Sequence, residues 1–322
     1  MSLSETAVGA LPTFAALDSY LVLEQRRTGS SIQLDESYFR GQTRAIDAFE
    51  TTAALDKRRT IVSQSRQLYN GIQIDFDSLS RETLETASAS FRRLLQQLPE
   101  VRYLKQQFPA TCFVIPEWIR SDGAVDYGAR IYFFREESAP TPDEILQRNI
   151  EAVVSDTRAD FERYQGWLHG YPDCCVDWFS THDRQQTTAP EVAAVDPIAD
   201  CIDDDALRAG PPVSASVGEL TDGLFETPAV YGFFTREFFP EPNCGRARRD
   251  GLSMYDALCE EFPDALVEDF FRLNAAWSYL MAQATISTTG RSERPAPGSL
   301  GREQLLFYLP LSSTESVSKY VT

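Results

Sequence analysis

The chain contains very little lysine. Only three of its 322 residues are lysine, so arginine supplies 27 of the 30 basic side chains, and 48 acidic residues give a formal net charge of −18. Carboxylates hold water and cations while concentrated salt screens their mutual repulsion, so this balance is typical of a salt-filled cytoplasm. We therefore expect a haloarchaeal protein whose acidic surface is a background property rather than a functional signal.

Several sequence signatures are also absent. We find no apolar run long enough to span a membrane, and Leu11–Leu23 is interrupted by Pro12 and Asp18 without the basic lead-in of a secretory signal. We expect a cytoplasmic protein without a membrane partner. Thiols stay reduced in the cytoplasm, so six cysteines there favour thiol or metal chemistry over a disulfide framework.

The missing catalytic motifs exclude further classes. There is no glycine-rich phosphate loop, serine nucleophile elbow or Cys-x-x-Cys pair, which argues against nucleotide hydrolases, serine hydrolases and thioredoxin-like proteins. His169 is not followed by x-Glu, so the zinc deaminase pattern is absent too. An acidic balance would ordinarily argue against nucleic acid, but in a halophile acidity is the background, so nucleic acid is not excluded and a local arginine patch would count in its favour. An unknown small molecule or protein remains as the partner.

The pattern of apolar residues predicts an α+β fold, mainly helical with a small antiparallel sheet. A hairpin is expected over 111–135 because two runs rich in β-branched and aromatic residues flank Ser121-Asp122-Gly123. A C-terminal strand near 305–311 is expected to join it. Of the helices, one should end before Thr28-Gly29-Ser30-Ser31, and a long one should run from Pro142 through Tyr164.

The predicted domain organisation is simple. Residues 1–12 form a flexible tail, and 13–322 form one large domain, either as a single unit or divided into an N-terminal helical part, 13–100, and a part 101–322 that carries the motifs below. Residues 187–228, rich in proline and acidic residues, are expected to be a long loop or insertion.

Reactive residue types are concentrated in one stretch, Tyr164–His182. It holds both histidines, two adjacent cysteines and two of the four tryptophans. Proline is favoured at a helix start, so a helix should begin at Pro172 and place Cys174 and Cys175 in its first turn, where the thiolate form is stabilised. Adjacent helical residues point about 100° apart, so we expect only one of these two cysteines to face a site.

Two segments of the chain resemble a known family. Gly170-Tyr171-Pro172-Asp173-Cys174-Cys175 is similar to the Gly-Tyr-Pro-x-Cys-Cys signature of an archaeal family of unknown function, number 483 among such families. The segment 239–244, Phe-Pro-Glu-Pro-Asn-Cys, resembles that family's later Phe-Pro-Cys-x-x-x-Cys block, with Glu241 near the place of the missing first cysteine. If the family's cysteines are metal ligands, the resemblance implies that this chain has lost one ligand or replaced it with a carboxylate.

Three hypotheses remain open. The first is a metal site, most plausibly zinc, because Zn²⁺ accepts sulfur, nitrogen and oxygen donors. Its ligands would come from Cys174, Cys175, Cys244, His169 and Glu241.

The second hypothesis is a thiolate enzyme or redox sensor. Cys174 or Cys175 would be the catalytic nucleophile and His169 its base. The arginine cluster would hold an anion, and it consists of Arg246, Arg248 and Arg249. These arginines would otherwise pair on a solvated face with neighbouring carboxylates such as Asp250. The third hypothesis is a helical interaction module in which the cysteines only pack.

Overall fold

The computed structural model describes residues 13–34, 79–96, 99–121, 124–182, 188–203 and 221–289, with a few further positions between 56 and 67. Within these ranges the helices are α1 (Thr13–Leu23), α2 (Arg81–Leu95), α3 (Pro99–Gln107), α4 (Pro142–Ser155), α5 (Arg158–Leu168), α6 (Asp173–Thr181), α7 (Pro190–Val195), α8 (Gly245–Cys259) and α9 (Asp264–Thr289). Short 3₁₀ helices cover Glu136–Ser138, Asp196–Cys201, Leu224–Glu226 and Pro228–Gly232.

The strands β1 (Gly29–Leu34), β2 (Cys112–Ser121) and β3 (Ala124–Phe134) form an antiparallel sheet in the order β1-β3-β2. The hairpin expected over 111–135 and the mainly helical α+β class are therefore confirmed. Strand β1 begins with Gly29, Ser30 and Ser31, which were predicted only as the residues that end the preceding helix. Its Gly29 pairs with Phe134, and the phenyl ring would lie 2.3 Å from a β-carbon added at Gly29, so this break-forming residue is what permits the close approach. The predicted strand near 305–311 lies outside the described residues.

Both faces of the sheet are buried. The face that carries Ile131 and Phe133 packs against helices α2 and α4, where Trp118 donates its indole N–H to Ser88 and Asn149 bonds the Trp118 backbone. The opposite face carries Arg130, Tyr132 and Phe134, which are also buried. Helix α5 covers part of this second face, because Gln165 donates to the Tyr132 hydroxyl at 2.7 Å. This second face positions the site.

The long helix predicted from Pro142 through Tyr164 is wrong. It is interrupted at Asp156, which adopts a left-handed conformation with φ 57° and ends α4, and α5 begins two residues later. Asparagine and aspartate tolerate this conformation better than other residues that carry a β-carbon. The break redirects the chain so that α5 can lie over the sheet.

The segment 187–228, predicted to be a long loop or insertion, has helical structure where it is described. Helix α7 and the 3₁₀ helix Asp196–Cys201 lie within it, and α7 packs on α9. Residues 204–220 lie outside the described part. The tail predicted over 1–12 does as well. Among the helices that are described, none combines the length and the apolar character needed to cross a membrane.

Candidate metal centre

The turn between α5 and α6 explains the Gly-Tyr-Pro part of the motif. Gly170 follows the end of α5 with φ +71°, and two backbone hydrogen bonds close the turn: Gly170 N–H to the Trp167 carbonyl at 3.1 Å and Tyr171 N–H to the Gly166 carbonyl at 2.9 Å. This is the Schellman arrangement, which favours glycine because a β-carbon is strained at positive φ. Pro172 is the N-cap of α6, so the helix begins at Asp173, one residue later than predicted.

A second turn presents Cys244. Asn243 has a φ of 60°, Cys244 donates its N–H to the Glu241 carbonyl at 2.9 Å, and Cys244 is the N-cap of α8. Asparagine is one of the few residues that take up this backbone conformation readily. The turn aims the Cys244 sulfur at the start of α6, so the N-termini of two helices converge on one place.

The three cysteine sulfurs lie together at this junction. The Sγ atoms of Cys174, Cys175 and Cys244 are all within 4.8 Å of one another, and Cys174 and Cys244 are 3.3 Å apart. The expectation that only one sulfur of the doublet faces the site is therefore wrong. Adjacent helical residues diverge by 100° at the β-carbon, but rotation about χ1 can bring their Sγ atoms back towards a common point. The chain thus offers three thiols to one ligand.

The electrostatics differ among the three thiols. Burial raises the pKa of Cys175 and, together with the neighbouring Cys244, that of Cys174. Burial alone would raise the pKa of Cys244 as well, but the backbone N–H groups of Ala247 and Arg246 and the two neighbouring thiols bond its sulfur and lower the pKa. From the sequence, the reactive thiolate was predicted in the doublet, and Cys244 was predicted only as a metal ligand. The available signal was the helix start that follows it.

His169 lies apart from the three sulfurs. His169 is 5 % exposed, and its ring stacks on Tyr132 and makes a tilted contact with Tyr171, with centroid separations of 5.9 and 5.3 Å. Among the described residues its Nε2 has no hydrogen-bond partner, and the group of metal-capable donors does not include it. Burial, reinforced by Arg27 and Arg130, lowers the pKa of His169 well below its usual value of 6.5.

The remaining predicted site residues lie around the cluster. Glu241 contacts it through its backbone, whose N–H donates to the Cys175 sulfur at 3.4 Å, and its carboxylate is not part of the donor group. Arg246 pairs with Asp173 at 3.4 Å and with Asp250 at 3.8 Å, so it links the starts of α6 and α8.

The other two arginines of the predicted anion site point elsewhere. Arg248 donates to the carbonyl oxygens of Asn243 and Cys244, and Arg249 lines a shallow cavity together with Asp256 and Glu260. Arg246 and Arg248 therefore already have protein acceptors, and the use of the cluster as an anion site stays a prediction.

Comparison of this chain with family models, with curated proteins and with solved structures gives no match. The resemblance to the archaeal family thus stays a prediction based on the two short segments. The functional proposal therefore rests on the geometry of the three thiols.

Proposed function

We propose that the protein binds one zinc ion through Cys174, Cys175 and Cys244 and that it does so in the cytoplasm, where its thiols stay reduced. The observation that carries this proposal is the convergence of the three sulfurs within 4.8 Å. All six cysteines are free thiols in the structure, so the donors are available.

The distances fit a metal better than a disulfide. Zinc–sulfur bonds of about 2.3 Å in a tetrahedron place sulfurs about 3.8 Å apart. The 3.3 Å between Cys174 and Cys244 differs from this value by about 0.5 Å, whereas a disulfide of about 2.05 Å needs a change of more than 1 Å. A disulfide would also leave Cys175 without a role, while a metal uses all three thiols.

Thiolate ligands select zinc, copper(I) or iron–sulfur clusters, and zinc is the ion most often held in a tetrahedron by cysteine. Three thiolates leave zinc with a fourth position. A water or substrate there would give a catalytic site, since structural zinc sites are closed by four protein ligands. The positive ends of two helix dipoles also stabilise the negative charge that three thiolates and one Zn²⁺ carry together.

Elemental analysis by mass spectrometry tests the proposal. Protein purified without added zinc should contain about one zinc per chain, and the Cys244→Ser variant should lose it, because a two-thiolate site lacks a full donor set. The Cys201→Ser variant is the matched control, since Cys201 is a half-buried thiol outside the group. Less than about a tenth of an equivalent of zinc in the unaltered protein, as for adventitious metal, would refute zinc as the ligand.

A redox role is the second candidate, and the short distance between Cys174 and Cys244 favours it. A thiol oxidant such as diamide would take two electrons and two protons from this pair as the S–S bond forms. Alkylation and mass spectrometry would then count four free thiols instead of six. Protein that holds zinc should resist this oxidation because its thiolates are coordinated, so the same measurement with and without a chelator separates the two functions.

A further inference from the structure

A cavity of about 410 Å³ lies beside the three thiols, and the zinc proposal does not use it. The second face of the sheet forms its floor through Gln33, Glu117 and Arg130. Helices α5 and α6 and the segment 237–239 form the walls. Cavities that bind small molecules have this size and combine apolar walls with a few buried polar groups.

The floor of the cavity carries more carboxylate than guanidinium. Arg130 donates to Glu117 at 2.5 Å and also to Glu237, and it bonds Ser31 and Gln33 at 3.1 Å. Its donors are therefore largely satisfied by the protein. The two carboxylates, in contrast, share this one bonded guanidinium, so they keep capacity to accept further hydrogen bonds.

Two acceptors in the cavity are poorly satisfied. Within the described residues the Oε1 atom of Glu237 accepts no hydrogen bond, and Arg236 forms a long ion pair with it at 3.8 Å. The Glu117 Oε1 atom receives only a long bond of 3.4 Å from Gln165. His169, more than nine-tenths buried, adds the unpartnered Nε2 described above. A buried polar atom such as this Nε2 normally has a partner from the protein, water or a ligand.

Backbone strain points to the same place. Glu237 has a φ of 70°, a left-handed conformation that is unusual for a glutamate. Such strained residues cluster at ligand-binding positions, where the surrounding structure holds them. The carboxylate of this residue contacts Arg130 at the cavity floor.

The other arginines of the cavity already have protein partners. Arg158 is paired with Glu162 at 2.7 Å, and Arg163 donates to Ser180 at 3.1 Å. An anion would have to displace these contacts. The apolar walls suit a flat molecule because they include the aromatic rings of Tyr171, Phe179 and Phe238.

We propose that this cavity binds a small aromatic molecule that carries a protonated amine. The amine donates to Glu237 and Glu117, and the ring lies between the aromatic walls. This site is separate from the zinc site, although Cys175 lines the same cavity.

Calorimetric titration with three indoles tests the proposal: tryptamine, which is cationic, tryptophol, which is neutral, and indole-3-acetate, which is anionic. Hydrogen bonds to a charged group predict that tryptamine binds about ten- to a hundred-fold more tightly than tryptophol, and that indole-3-acetate binds most weakly. The Glu237→Gln variant should remove this preference while tryptophol binding stays. Glu82→Gln, an exposed acidic position on α2 outside the cavity, should keep it.

Three results would overturn the proposal. They are equal binding of the three indoles, a preference that survives in Glu237→Gln, and no saturable binding of tryptamine at about 1 mM, the weak end of specific recognition. The Cys244→Ser variant distinguishes a ligand on the metal from a ligand on the carboxylates. If tryptamine binding disappears in that variant while the protein stays folded by circular dichroism, the amine binds the zinc and the proposed carboxylate site is wrong.

Discussion

Two buried arginines in this protein have different surroundings. Arg27 donates to Asp18 at 2.5 Å, Thr235 bonds both members of the pair, and the two side chains are only 1 % and 6 % exposed. Arg130 meets two carboxylates, and one of them, Glu237, is 21 % exposed next to the cavity. The difference between them is exposure: a closed pair serves the fold, whereas an open, partly exposed group beside a cavity is available to a ligand.

The largest loss of stability is expected when the closed pair of Arg27 and Asp18 is broken. Arg27→Met removes the guanidinium and leaves the Asp18 carboxylate buried without its cation, which typically costs about 3–5 kcal/mol of unfolding free energy. Chemical denaturation measures this loss. Arg246→Met is the control because its ion pairs are about half exposed, and such pairs contribute less than about 1 kcal/mol. Equal losses in the two variants would show that the Arg27 pair has no special structural role.

An intermediate effect on stability is expected from His169. Burial lowers its pKa most, and the charges of Arg27 and Arg130 lower it further. Above pH 6.5 the ring is neutral in the folded and the unfolded chain. Below pH 6.5 the unfolded chain takes up a proton that the folded chain does not. The free energy of unfolding therefore decreases as the pH is lowered, by up to about 1.4 kcal/mol per pH unit. This loss ends only when pH reaches the lowered pKa of the folded state.

The His169→Phe variant tests this linkage. Denaturation between pH 7 and pH 5 should show a shallower pH dependence in this variant than in the unaltered protein. His182→Gln is the control, since that ring bonds the Thr188 carbonyl outside the arginine region. An unchanged slope in His169→Phe would mean that folding does not shift the pKa of His169.

The smallest loss of stability is expected when the open group around Arg130 is changed. Glu237→Gln removes one of two carboxylates, but Arg130 keeps Glu117 at 2.5 Å, so its charge remains paired. The free energy of unfolding should change by less than about 1 kcal/mol, as for a partly solvated ion pair. Thermal unfolding checks this. A loss as large as that of Arg27→Met would mean that the contacts of Arg130 stabilise the fold as strongly as the Arg27 pair does.

Local sequence patterns predicted the parts of the fold that depend on neighbouring residues. Alternation of β-branched and aromatic residues identified the hairpin, and the motif predicted that the Cys174 and Cys244 segments meet. Strand β1 was missed because Gly29 and the serines after it are break formers, and only their pairing with β3 makes them a strand. The interruption at Asp156 was missed because the apolar periodicity continues past it.

The buried charges could not be placed from sequence because their partners lie far apart in the chain. Glu117 and Arg130 each interrupt an apolar strand, which is a visible signal, but Glu237 reaches Arg130 from 107 positions away. Likewise the lowered pKa of Cys244 depends on which N–H groups point at its sulfur. Such contacts follow from tertiary geometry and not from local propensity.

The spacing of the thiols along the chain has one more consequence. Cys174 and Cys244 are 70 positions apart, so an ion bound to both would act as a cross-link that closes a long loop of the unfolded polypeptide. Closing a long loop removes conformational entropy from the unfolded chain, and the gain grows slowly with loop length. Removal of the ion would then weaken α7 and the 3₁₀ helices inside that loop, although none of them supplies a ligand.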